Sequence, residues 1–315
     1  MRFPMPIDIQ TLPAPMPGRR VAPLPLVPLI AICFAVSLSA CRDRDEAPQP
    51  PQATATDKPP APPAAIELKD VIEQDARYIV GISYPPAAKR YPGLAEALHR
   101  YAEGARAELL KAVQGADAEK QTTPYELSLN MTLLADTPDV VAVAADGASY
   151  TGGAHGVPLV ARFVWLPKQN RLLTANELFA DPAGWNTISD FAREQLHATL
   201  SQRVDADELP PTERAEVMRS VGRMIDEGTR PAPASFAAFE PVLAPDGEKL
   251  MGLRFVFPPY QVGPYVDGVR TVEVPTTVLA PLLAPELRSM FVVVQPPPVA
   301  ATPPTDAPPQ LQPSP

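Results

Sequence analysis

Two loops of this chain gather residue types that could meet a ligand. The first is Tyr150-Thr151-Gly152-Gly153-Ala154-His155-Gly156. Its three glycines open backbone angles that other residues avoid, and they let a partner or a neighbouring strand come close. His155 sits among them, and an imidazole so placed can bond a ligand or serve as a general base. The second loop is Phe257-Pro258-Pro259-Tyr260-Gln261-Val262-Gly263-Pro264-Tyr265-Val266-Asp267-Gly268. Its prolines stiffen it, and its tyrosines offer a large contact area at low entropic cost, each with a polar tip. Tyr150, Gly152, Gly153, His155, Tyr260, Gln261 and Tyr265 are therefore the candidate ligand-binding residues. Each loop also has a plain structural reading. The first could be a tight strand connection whose His bonds a backbone carbonyl, and the second could cover a sheet edge.

Catalytic chemistry finds less support. A zinc hydrolase needs about three ligands, commonly His with a carboxylate, and the histidines here are His99, His155 and His197. His99 and His197 fall beside apolar stripes of helices and read as boundary residues. There is no H-E-x-x-H, C-x-x-C or G-x-S-x-G pattern. Gly152-Gly153 lacks the Lys of a phosphate-cradling loop, and the spacing of Ser149 to His155 matches no dyad. The reading is a binding module, not an enzyme, with no metal and no cofactor. The alternative is a cell-envelope hydrolase using His155 as general base, with Asp267 as its helper.

A third reactive group lies near the N-terminus. Arg19 and Arg20 precede a mostly apolar run, Val21 to Ala40, which ends in Leu38-Ser39-Ala40-Cys41. The run is too Pro-interrupted for a comfortable membrane span of roughly 20 apolar residues and fits a signal-peptide core. Small residues before the cut enter a peptidase cleft, and the Cys41 thiol is the nucleophile that accepts diacylglycerol. The segment resembles a bacterial lipobox; an uncleaved anchor or an ordinary signal peptide are the other readings. Met16 is a plausible alternative start. Cys33 lies in the discarded part, so the mature domain has no disulfide and rests on its hydrophobic core. Cys41 then ties the chain to a bacterial membrane, on its periplasmic face. Arg42, in the position where Asp favours inner-membrane retention, points to the outer membrane.

Segment 41–65 combines the lipidated Cys with a Pro-rich tether, extended at about 3.1 Å per residue in polyproline geometry. The tail 295–315 has the same composition. The precursor carries 27 basic and 36 acidic residues. Removing 1–40 takes away Arg2, Arg19, Arg20 and Asp8, which leaves 24 against 35 and a net charge of −11. This argues against nucleic acid and anionic headgroups as partners. It suits a basic protein partner, or plain solubility.

The loops must be positioned by the elements between 66 and 294. Alternation over Asp75–Tyr84 predicts a strand. Leu94, Leu98, Tyr101, Ala105 and Leu109 form the stripe of a helix that Pro92 opens and Gly115 closes. A β-meander follows over Tyr125–Leu133, Val140–Ala145, Leu159–Leu166 and Arg171–Leu173, antiparallel because its connections are short. Asp181-Pro182 starts a helix with Trp185, Ile188, Ala192, Leu196 and Leu200 inward. A second runs over Thr212–Glu227. Strands follow at Phe236–Leu243, Lys249–Phe257 and Arg270–Val274, with short helices at Thr277–Leu283 and Pro285–Met290. The fold class is α+β, antiparallel sheets with packed helices and no βαβ alternation.

The two loops, together with Leu173-Thr174-Ala175-Asn176-Glu177-Leu178-Phe179, resemble the RsiV-type domain over about 125–290. Segment 66–124 resembles, more weakly, the companion module that precedes it. The domain layout is then 1–40 signal peptide, 41–65 tether and 295–315 tail, read from composition, with 66–124 companion module and 125–294 RsiV-type domain implied by the resemblance. It also implies an extracytoplasmic α+β domain. The family occurs in a lysozyme-sensing anti-sigma factor, as an accessory region of a peptidoglycan deacetylase, and in lipoproteins. The implied function is recognition of a cell-wall component or of a wall-degrading protein, with lysozyme or peptidoglycan as partner. No sigma-factor role carries over, and the lysozyme-binding residues are not set by a motif.

Overall fold

The computed structural model describes residues 66–293. The expected signal segment, Cys41, the expected tether and the Pro-rich tail lie outside them. The described chain opens with a hairpin, β1 (Val71–Gln74) and β2 (Tyr78–Ser83). Its tight turn is held by Asp75, whose carboxylate accepts from the Arg77 backbone N–H at 2.9 Å. Helix α1 (Pro92–Gly115) begins and ends where the proline and glycine place it. Leu94, Leu98 and Leu109 of its stripe are buried, while Tyr101 and Ala105 are half-buried.

Strands β3 (Tyr125–Asp136), β4 (Val141–Tyr150), β5 (Val157–Leu166) and β6 (Arg171–Leu173) form the antiparallel meander. With the hairpin they make one sheet in the order β1-β2-β3-β4-β5-β6. One expectation is corrected here. β2 and β3 pair in parallel, Val80 opposite Leu127, so β2-α1-β3 is a βαβ unit. A parallel pair needs a long crossover, and α1 supplies it. The same pairing joins the two sides of the 124/125 boundary within a single sheet.

The second half packs α2 (Gly184–Ala206) against α3 (Pro211–Gly228) and adds a small antiparallel sheet, β7 (Phe239–Leu243), β8 (Leu250–Phe257) and β9 (Arg270–Pro275). A four-residue helix, α4 (Thr276–Leu279), follows. The helix expected over Thr277–Leu283 stops early because its continuation pairs with another segment. The Ala180 N–H donates to Leu282 O, and the Ala284 N–H donates to Leu178 O. Phe236, expected in a strand, ends a 3-10 turn over Pro233–Phe236 and stacks on Trp185 at 5.3 Å. The whole is α+β.

Two cores meet at the large sheet. Val141, Val143 and Ala145 of β4 face the core under α1, which also contains Leu94, Leu98, Leu127, Leu129 and Trp165. Ala142 and Val164 belong to the other core, with Trp185, Phe236, Phe255 and Phe257. Because both faces of β4 are covered, its first five residues are all buried, as in a strand packed on two sides. A charge network also bridges the sheets. Glu240 accepts from Arg162 Nε at 2.6 Å and from Arg254 Nη1 at 2.9 Å, and Arg162 also reaches Asp146 at 2.8 Å. The side chains of Arg162 and Glu240 are each only 9% exposed. The hydrogen bond from Arg254 to Glu240 holds the Arg254 guanidinium above its ordinary pKa. Among the described residues, no helix is long and apolar enough to cross a membrane.

Candidate functional site

The glycine loop joins β4 to β5. Gly152 and Gly153 have φ of +98° and +96°, a region that favours glycine. Tyr150 Oη donates to Gly153 O at 3.2 Å and closes the loop on itself. His155 projects at the mouth of β5, exposed on the surface.

The tyrosine loop joins β8 to β9, and hydrogen bonds, a buried valine and ion pairs anchor it. Tyr260 N–H donates to Gly263 O at 2.9 Å, and Gln261 N–H donates to Pro258 O at 3.1 Å. The Gln261 amide donates to Gly228 O at 2.9 Å and to Ser235 O at 2.8 Å, which ties the loop to the end of α3. Gly228 permits this, because a Cβ there would lie 2.0 Å from Gln261 O. Val262 is buried. Asp267 lies 2.6 Å from Arg203 Nη1 of α2 and 3.4 Å from Arg270 Nη2.

So anchored, the loop brings both tyrosines to His155. Tyr260 Oη lies 2.9 Å from His155 Nε2. The Tyr265 ring stacks on the imidazole, with centroids 3.9 Å apart and planes 13° apart. The two tyrosine rings are 5.8 Å apart. His155 Nδ1 lies 3.2 Å from Gly156 O. One tautomer serves both contacts: Nδ1–H donates to the carbonyl, and Nε2 accepts the phenol proton. Tyr260 holds φ of +73°, a left-handed conformation uncommon outside glycine, and such outliers cluster at functional sites. Tyr260 is itself 53% exposed, and Val157 and Val266, close to His155 and Tyr265 in sequence, are 63% and 87% exposed. The arrangement is an aromatic patch with a polar centre.

The candidate residues thus divide. His155, Tyr260 and Tyr265 form the cluster; Tyr150, Gly152 and Gly153 shape the loop that carries it. Gln261 does not join them, since its amide is committed to two carbonyls. Asp267 faces two arginines, and no hydrogen bond links it to His155 among the described residues. Ser149 makes no hydrogen bond to His155 either. His197 Nε2 lies 3.0 Å from Asp226 Oδ1, outside the cluster. No group of three or more His, Cys, Asp or Glu gathers as a metal site among the described residues. Sequence reasoning missed Arg203 and Arg270, which hold the tyrosine loop. Arginines scattered over a helix and a strand gave no pattern to find them by. The Leu173–Phe179 motif proves to be a cap. The Thr174 side chain and backbone N–H both bond Glu177, at 2.6 and 2.8 Å. Burial pushes the Glu177 carboxyl up, but the Thr174 hydrogen bonds and the Arg171 charge outweigh it and lower its pKa.

Comparison with known proteins gives partial matches. A family model described as Deacetylase PdaC matches residues 72–158. That stretch spans most of β1 through the start of β5 and includes His155, but not Tyr260 or Tyr265. Two solved structures are similar to this chain. A DUF3298 family protein from Pseudomonas aeruginosa is 13% identical, with 70% of this chain and 94% of that chain covered and a TM-score of 0.47. A DUF3298 family member from Bacteroides fragilis is 16% identical, with 71% and 95% covered and a TM-score of 0.44. No curated protein matches.

Proposed function

We propose that this chain is a membrane-anchored binding lipoprotein that recognises a cell-wall component or a wall-degrading protein such as lysozyme. The meeting of the two loops at His155 carries the reading. Residues 105 positions apart build one patch, and the anchors around Gln261 and Asp267 prepare it before any ligand arrives, which lowers the entropy cost of binding. The RsiV-type resemblance supplies the ligand class. Lipidation at Cys41 would hold the domain on the periplasmic side of a membrane, the outer one on the evidence of Arg42. The test is retention on immobilised lysozyme and on peptidoglycan, comparing wild type with Tyr260→Ala plus Tyr265→Ala. The double variant should lose binding at least tenfold. Equal retention of both proteins would sink the role given to the patch.

The description of the matched family model, Deacetylase PdaC, favours a second reading, an envelope hydrolase with His155 as base. In it, a substrate would displace the Tyr260 phenol from His155 Nε2, and the freed nitrogen would take a proton. Purified protein would then release acetate or muropeptides from peptidoglycan between about pH 5 and 8, and His155→Ala would abolish release. No release over that range rejects it.

A further inference from the structure

A second surface lies beside the patch. Over Val157–Phe163, β5 pairs with β4 on one side, while β6 pairs with it only over Val164–Leu166. Seven residues of β5, about 23 Å at 3.3 Å per residue, thus present a strand edge without a backbone partner among the described residues. Where β6 turns away after Leu173, a cavity of about 450 Å³ opens, bounded by Arg162, Phe163, Thr174, Pro233 and Ala234. Toward the other end, a groove of about 620 Å³ runs between α1 and the sheet, lined by Tyr101, Gly104, Ala105, Ser149, Val157 and Leu159. The α1-side face of β5 (Val157, Leu159, Ala161 and Phe163) is apolar throughout and only partly buried.

Gly104 has no role in the fold itself. It sits mid-helix, where glycine destabilises relative to alanine. It takes no left-handed angle, and a Cβ there would meet nothing within 4 Å. A glycine facing open space over a half-covered strand leaves room for another chain to come close. An open strand edge is a template for another strand. This one carries no free charge to deter pairing, because Arg162 folds onto Asp146 and Glu240; Pro158 removes one donor at its start, so pairing falls on Leu159–Phe163. The outer rim carries two opposite charges. Arg100 adjoins Tyr101, which packs on Phe163 at 5.6 Å, and pairs with Glu96 on its own helix at 2.6 Å. Glu108 lies eight residues on, about 12 Å along the helix, and pairs with Lys111 at 3.7 Å. Both pairs are exposed and weak, so the charges of a ligand can replace them.

We propose that the β5 edge and the α1 groove bind an extended segment of a partner polypeptide as an added strand. The segment is about seven residues long, with apolar side chains at alternate positions entering the groove over Gly104. An acidic side chain meets Arg100, and a basic one about four positions away, about 13 Å of strand, meets Glu108.

The test uses the full chain and two labelled peptides of alternating Val and Thr. In one, Glu replaces a Val and Lys replaces the Val four positions on; the second has the reverse. One of the two should bind at least tenfold more tightly, and Arg100→Glu combined with Glu108→Arg should exchange the preference. Gly104→Trp fills the groove without a backbone clash and should weaken binding at least tenfold with no fall in melting temperature. Tyr260→Ala plus Tyr265→Ala should leave peptide binding unchanged, which separates this surface from the aromatic patch. Absence of saturable binding, or equal binding by the Gly104→Trp variant, overturns the proposal. So does equal binding of a peptide with Ser in place of every Val. A dimer of the chain that Gly104→Trp dissociates, with no peptide bound, would give the groove to a second copy and also overturn it.

Discussion

At the scale of single residues, Tyr260 joins strain to recognition. Its φ of +73° places an L-residue where the left-handed region costs roughly 1–2 kcal/mol. Replacing it with Gly or with Ala removes the same phenol and the same bond to His155, but only Gly relaxes the backbone. Tyr260→Gly should therefore be more stable than Tyr260→Ala by about 1 kcal/mol in urea unfolding. Equal stabilities would mean that the backbone relaxes at no cost. The composition of both loops was legible in the sequence, because Gly, Pro, Tyr and His are conspicuous by type. Their contact was not. Nothing in a linear reading pairs His155 with a phenol 105 positions away, and nothing separates Gln261, an anchor, from Tyr260, an exposed contact.

At the scale of elements, legibility followed the range of the interactions. Helix α1 was readable to its ends because Pro92 and Gly115 act locally, and the meander was readable because alternation is local too. The parallel pairing of β2 with β3 spans the whole crossover and left no local mark. Likewise α4 is cut short by the distant segment that its continuation pairs with. The tyrosine loop depends on such long-range partners. Gln261→Ala would leave the part-buried Gly228 O and Ser235 O without their donor, at about 1 kcal/mol for the lost hydrogen bonds. It should lower thermal stability and also weaken ligand retention, since Tyr260 is its neighbour. A stability loss with full retention would show that the loop keeps its shape without this anchor.

At the scale of the whole molecule, two cores share one sheet, and charges bridge that sheet to its smaller neighbour. Glu240 lies between Arg162 and Arg254 with little exposure. Removing it leaves the buried Arg162 with Asp146 as its remaining carboxylate, while the more exposed Arg254 keeps Glu273, so Glu240→Ala should cost about 1–3 kcal/mol in chemical unfolding. A loss below about 1 kcal/mol would mean that water reaches the site. The core under α1 sets an alkaline limit. Burial, with Glu103 and Asp70 adding to it, pushes the Tyr84 phenol up to about 12. Its folded pKa exceeds its unfolded value near 10, so its contribution is complete below about pH 10 and is lost as pH rises through 12. Tyr84→Phe should flatten that part of the stability–pH curve.

The chain has two tryptophans, and the packing assigns one to each core: Trp165 lies under α1, and Trp185 lies among the phenylalanines of the other. The molecule thus carries a built-in pair of fluorescent reporters. Spectra of Trp165→Phe and Trp185→Phe would follow the melting of each core separately, without any attached dye. Coincident midpoints, after allowing for each substitution's own effect, would show that β4 couples the two halves into one cooperative unit. Separated midpoints would make the sheet a seam along which the protein opens first.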